Sequence, residues 1–93
     1  MNDNAYQNLK SGASKILFEQ SFIDKGGKIM RPDQVIVHAD KYVVIDFKTG
    51  LAERKNHQQV HEHVTLLRKM TSKSVEGYLL YIDENEPRIE RVD

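Results

Sequence analysis

Cysteine is absent from the chain, and so is any surplus of charge: 14 basic residues face 14 acidic ones, for a formal net charge of zero. The first absence excludes disulfides, zinc knuckles and thiol nucleophiles. The second argues against a free-standing nucleic-acid binder, whose non-specific affinity needs many uncompensated Lys or Arg, and equally against an acidic tail. Long apolar runs are missing too. No stretch reaches the roughly 20 residues of a membrane span, and the polar N-terminus is unlike a secretory signal. A soluble cytoplasmic domain with no membrane partner is the expectation. There is no internal repeat, low-complexity run or second domain. The 93 residues make one small domain with a single core, a size that also suits a piece cut from a longer protein.

What the chain does contain is a regular alternation of strand and helix signals. Residues 1–15 are polar, with a short helix expected from Ala5 to Lys10 and a break at Ser11-Gly12. Ile16 to Ile23 reads as a strand, Asp24-Lys25-Gly26-Gly27 as a turn, and Lys28 to Val37 and Lys41 to Lys48 as the next two strands of an antiparallel meander. In the last of these Val43, Ile45 and Phe47 share one face, while Val44 flanks Asp46 on the other. Both faces should therefore be covered. Gly50 releases the chain from the sheet. Arg54 to Met70 is the best helix, with Val60, Val64 and Leu67 at helical spacing and Leu66 and Met70 widening the stripe. Thr71-Ser72-Lys73-Ser74 ends it. Val75 to Ile82 is a further strand, and a helical crossover favours its parallel pairing with 41–48. A turn at Asp83-Glu84-Asn85-Glu86-Pro87 and an edge strand from Arg88 to Val92 complete the pattern.

Two carboxylates and a lysine stand out against these apolar strands. If Ala39-Asp40 is a two-residue hairpin loop, Asp33 sits opposite Asp46, with Cβ atoms roughly 4.5–5.5 Å apart on one face. Lys48 projects from the same face, because strand side chains alternate. Two carboxylates so placed repel by about 4 kcal/mol at an effective dielectric near 20, and a divalent cation is the obvious group to offset this. The plainer alternative is a pair of solvent-facing strand residues with Lys48 as a cross-strand partner, since surface charge pairs are common and contribute little. Asp is nevertheless poorly suited to strand interiors. Pro32 reads equally well as an edge or bulge marker.

Pro32-Asp33, a gap, then Asp46-Phe47-Lys48 resembles the motif of the PD-(D/E)XK nuclease superfamily. Glu19 in the preceding strand, the segment Asp46-Phe47-Lys48-Thr49-Gly50, and Gln59 on the following helix make the similarity more specific. Together they resemble the RecB-type C-terminal nuclease domain of UvrD-like helicases, the exonuclease V beta-subunit type, over roughly residues 16–82. The resemblance implies a restriction-endonuclease-like α/β fold: a mixed, mainly antiparallel sheet with one main crossover helix. It implies a Mg- or Mn-dependent deoxyribonuclease of exonuclease type, the nuclease module of a helicase–nuclease in DNA end processing and recombinational repair. Its partners would be DNA and the helicase domains of the parent chain.

On that resemblance Asp33 and Asp46, the backbone carbonyl of Phe47 and Glu19 are the expected metal ligands. Lys48 would orient or help deprotonate the attacking water, and Gln59 would hold the lysine. Arg54, Lys55 and His63 are the expected DNA contacts; the scatter of Arg54, Lys55, Lys69 and Lys73 also reads as a solubilising face, and clustering just after the Asp-x-Lys strand favours Arg54 and Lys55. Two departures matter. His63 stands where the family has Tyr. RecB-type sites also take a His ligand from a helix upstream of the first strand, and no His precedes His38. That ligand lies in an upstream segment, or Glu19 and water replace it, or the site is impaired. The alternative function is a catalytically silent DNA-binding or helicase-docking module of the same fold. Separately, His57 and His61 lie one helical turn apart and could together bind zinc, although helical His pairs at that spacing arise often by chance and the sequence places no third ligand nearby.

Overall fold

The computed structural model describes residues 4–49, 54–82 and 88–93, with the side chains of Asn4 and Arg54 left aside. The elements in order are α1 (Asn4–Lys10), β1 (Lys15–Phe18), β2 (Phe22–Ile23), β3 (Ile29–Met30), β4 (Gln34–Val37), β5 (Lys41–Lys48), α2 (Arg54–Met70), β6 (Ser74–Tyr81) and β7 (Arg88–Arg91). Five strands form one sheet in the order β1-β4-β5-β6-β7, and β2 pairs with β3 in a separate two-stranded ribbon. Among the described strands only the β5–β6 pair is parallel. The crossover through α2 explains this, since parallel neighbours cannot be joined by a tight turn.

The alternation read from β5 holds in three dimensions. Val43 and Ile45 join Ile36 and Leu80 on one face, with Tyr6 and Leu9 of α1 packed against them. Val35, Val44, Leu79 and Tyr81 face the other way, against Val60, Val64 and Leu67 of α2. The helical stripe is thus buried as expected, except that Met70 is 43% exposed and falls outside it. Gly77 on β6 lets α2 come close. A Cβ there would lie 2.5 Å from Val64 Cγ2 and 2.8 Å from Val60 Cγ1.

The first hairpin differs from expectation in one respect. Ile16–Ile23 and Lys28–Val37 are not continuous strands; each breaks in the middle. Paired residue numbers nevertheless total 52 on both sides of the break, as in Lys15 with Val37 and Phe22 with Met30. The register continues, while the ladder is interrupted. Pro32 has no N–H to give, and Glu19 adopts φ +52°, a left-handed conformation uncommon outside glycine. One bond spans the gap, from Glu19 N to the Asp33 carbonyl at 3.0 Å. The expected turn closes the far end: Gly27 N donates to Asp24 O at 3.0 Å, with φ +87° at Gly27. The turn expected at 83–87 and the release at Gly50 lie outside the described residues. No described helix is long and apolar enough to cross a membrane.

Candidate active site

The hairpin between β4 and β5 sets the site. Its loop is Ala39-Asp40, closed by His38 N donating to Lys41 O at 2.9 Å, and its partners run from Val37–Tyr42 to Gln34–Ile45. One step further along this register places Asp33 beside Asp46, on the face that carries Val35, Val44 and α2. Each carboxylate accepts a backbone hydrogen bond from the other side of the pair. Asp33 N donates to Asp46 Oδ1 at 3.0 Å, and Phe47 N donates to Asp33 Oδ2 at 2.8 Å. Each carboxylate therefore uses one oxygen to fasten the opposite strand. The sheet's backbone replaces part of the hydration both charges lose.

Asp46 is buried at 2% exposure, and its second oxygen, Oδ2, has no hydrogen-bond partner among the described residues. Burial pushes its pKa above the usual carboxylate value. The Asp33 backbone bond and the nearby His63 pull it down, the Asp33 charge pushes it up, and Lys48 pulls it down. Among the described residues the nearest basic atom to Oδ2 is His63 Nδ1 at 3.4 Å, itself buried and without a hydrogen-bond partner there. At that length the contact is electrostatic rather than a well-formed hydrogen bond.

Lys48 lies two residues beyond Asp46 on the same face, and its Nζ donates to Gln59 Oε1 at 3.1 Å. Gln59 and His63, one turn apart on α2, thus reach Lys48 and Asp46 respectively. The fold brings together Asp33, Asp46, Lys48, Gln59 and His63. His63 does not stand on the surface as a phosphate contact would: it is 8% exposed and packs against Asp46. Sequence spacing showed that it shares a flank with Gln59, but burial depends on how deeply α2 sits on the sheet.

Other expected residues lie further out. Glu19 adjoins Asp33 through the backbone, but its side chain is exposed just past the end of β1 rather than within a strand. Among the described residues no group of three His, Asp or Glu side chains is set to hold a metal ion. Helix α1 packs on the opposite face of the sheet, with Tyr6 OH donating to Gln34 Oε1 at 2.8 Å. Lys55 is exposed, and the Arg54 side chain lies outside the described residues. Lys69 is exposed, whereas Lys73 serves the fold: its Nζ donates to His38 O at 3.0 Å and sits over the Tyr42 ring. His57 and His61 each face a carboxylate, Glu90 and Asp93, both at 2.6 Å.

Two buried polar residues carried no sequence signal beyond their place in a helix or strand. Asn56 on α2 is buried. Tyr81, the parallel partner of Lys48, is wholly buried with no hydrogen-bond partner for its hydroxyl among the described residues. Arg88 stacks over its ring at 4.4 Å from the centroid.

No family model matches the chain, and no curated protein matches it. Solved structures do. One is the protein SSO0001, with a TM-score of 0.60 and 21% identity over 97% of this chain and 47% of that one. Another is the small subunit, R.BspD6I2, of the heterodimeric restriction endonuclease R.BspD6I, with a TM-score of 0.55 and 14% identity over 86% of this chain and 49% of that one. The chain spans about half the length of each. At these identities the likeness is one of fold: a restriction-endonuclease-like α/β domain.

Proposed function

We propose that the chain hydrolyses DNA phosphodiesters with a divalent metal ion, Mg²⁺ or Mn²⁺, held by Asp33 and Asp46. The observation that carries the reading is the carboxylate pair itself, each held by a backbone amide across the hairpin, with Lys48 on the same face. Structural ion clusters seldom leave a buried carboxylate oxygen unpartnered, and Asp46 Oδ2 is one. The donor set suits a hard cation, which takes one or two carboxylates and fills the rest of its shell with water and phosphate. Asp33 and Asp46 would hold it, with the Phe47 carbonyl as a further oxygen donor on the strength of the motif.

When bound, such an ion supplies Lewis-acid chemistry, acidifying a water and neutralising charge on the scissile phosphate. The chain's own residues do the remainder. Lys48 carries a positive charge beside the carboxylates, where it orients the attacking water and offsets charge developing on phosphate oxygens. Gln59 holds that ammonium in place from α2. His63 sits behind Asp46 and lowers the cost of its ionised form. Assignment to a helicase–nuclease that processes DNA ends, exonuclease action and a helicase partner rest on the RecB-type motif resemblance alone.

A second reading is a catalytically silent module of the same fold, docking on DNA or on helicase domains. The closed position of Asp46 Oδ2 against His63 favours it, as does the zero net charge. Incubating the chain with linear duplex and single-stranded DNA in Mg²⁺ or Mn²⁺ separates the two. Metal-dependent degradation that Asp46→Ala abolishes supports the nuclease. Failure to degrade DNA, with no amide shifts at Asp33, Asp46 or Lys48 at millimolar metal, leaves the silent module.

A further inference from the structure

We infer that His57 and His61 form a second, independent cation site on the opposite flank of α2 from Gln59 and His63, one that takes a borderline-soft transition-metal dication of the Zn²⁺ or Ni²⁺ class. The two imidazoles lie one helical turn apart, the spacing at which side chains on a helix become neighbours. Each ring already has one nitrogen committed. His57 Nε2 faces Glu90 Oε1 and His61 Nδ1 faces Asp93 Oδ2, both at 2.6 Å. An ionised carboxylate can only accept, so each of these nitrogens donates its N–H. In the neutral ring the other nitrogen, Nδ1 of His57 and Nε2 of His61, then carries the lone pair. This carboxylate–imidazole arrangement is the one that orients and sharpens histidine ligands at metal centres.

Space and access are present. Both rings line an open cavity of about 520 Å³, together with Gln58, Glu62 and Val92. The His61 side chain is 63% exposed and that of His57 40%. Among the described residues no group of three such side chains is set to hold an ion, so the imidazole pair is what these residues contribute, with water to complete the shell. The carboxylates come from β7 and the residue two places beyond it, and Asp93 is itself tied to the sheet by Gly77 N donating to its carbonyl at 3.0 Å. The two imidazole–carboxylate bonds themselves join this segment to the crossover helix, and an ion on the free nitrogens would hold the rings in that orientation. Softness separates this site from the Asp33–Asp46 pair, since imidazole suits Zn²⁺ and Ni²⁺ while carboxylates suit Mg²⁺ and Mn²⁺.

The test is calorimetric titration of the untagged chain with ZnCl₂ and NiCl₂ at pH 8 in metal-free buffer, repeated on variants. The expected result is saturable binding of one ion that is lost in His57→Gln and His61→Gln and retained in Asp46→Ala. Glu90→Gln and Asp93→Asn should weaken it by about 10–100-fold, the usual effect of removing a carboxylate that orients a ligating histidine. Ni²⁺ should also broaden the His57 and His61 ring resonances of the unaltered chain, which needs no variant to fold. Absence of saturable binding up to millimolar metal overturns the inference. So does binding that survives His57→Gln/His61→Gln and disappears in Asp46→Ala, because the ion then sits on the acidic pair. Failure of the nuclease reading leaves these outcomes unchanged.

Discussion

Asp33 and Asp46 each anchor the other's strand with one carboxylate oxygen and keep the second oxygen out of that bond. The arrangement uses backbone amides to hold two like charges together, where ordinary surface pairing would let them separate into water. It also leaves Asp46 Oδ2 buried and facing His63. Both the stability of the fold and its chemistry should be sensitive to this pair.

The first consequence concerns pH. Burial raises the Asp46 pKa in the folded protein above its unfolded value, so the folded state binds this proton more tightly than the unfolded state does. Stability from this group is present below the unfolded pKa and lost as pH rises through the raised folded value. Asp46→Asn, which removes the charge and keeps the shape, should gain in melting temperature relative to the unaltered chain between pH 4 and pH 8. Thermal melts across that range in metal-free buffer check this. A difference independent of pH would mean that the shift has another sign or source.

Metal should reverse the balance. Millimolar Mg²⁺ or Mn²⁺ should stabilise the unaltered chain, by about 2.7 kcal/mol at a concentration a hundred times Kd. Neither Asp33→Asn nor Asp46→Asn should respond. Melting curves with and without metal measure it, and an equal response from the variants would place the ion elsewhere.

Lys48 and Gln59 should act as a unit. Under the nuclease reading Lys48→Ala lowers turnover by about 10²–10³-fold, typical for loss of a group that stabilises transition-state charge. Gln59→Ala releases the ammonium without removing it and should cost less. The double variant should be no worse than Lys48→Ala alone, because residues acting through one another are not additive. Single-turnover kinetics on a short labelled duplex give the comparison.

Gly77→Ala should destabilise the domain by about 1–3 kcal/mol, the ordinary cost of overpacking. The added methyl would lie 2.5 Å from Val64 Cγ2, so α2 must lift from the sheet. Because α2 also carries Gln59 and His63, the same variant should loosen the site. Urea denaturation gives the stability, and the Lys48 side-chain resonance reports the site.

Leu79→Ala should cost about 2–5 kcal/mol, as buried leucine truncations do. Leu79 is fully buried and is the parallel partner of Asp46. That is a large share of the 5–15 kcal/mol that holds a typical domain together. Chemical denaturation would show it.

Local periodicity determined much of this protein. The period-two pattern of Tyr42 to Lys48 assigned Val44, Asp46 and Lys48 to one face, and the two-residue loop at Ala39-Asp40 determined that Asp33 would meet Asp46. The 3.6-residue period of Val60, Val64 and Leu67 identified the buried stripe of α2. These are short-range consequences of backbone geometry, and they can be read from residue order alone. Other features depended on contacts between segments far apart in the chain. The hairpin breaks at Glu19 because Pro32, thirteen residues on, withholds a donor from the ladder. His63 turns inward to Asp46 because of the depth at which α2 settles over Gly77. His57 and His61 find Glu90 and Asp93 because β7 folds back against β6. Only the tertiary structure decided these, since each is set by the approach of two elements, and no local pattern encodes the distance between them.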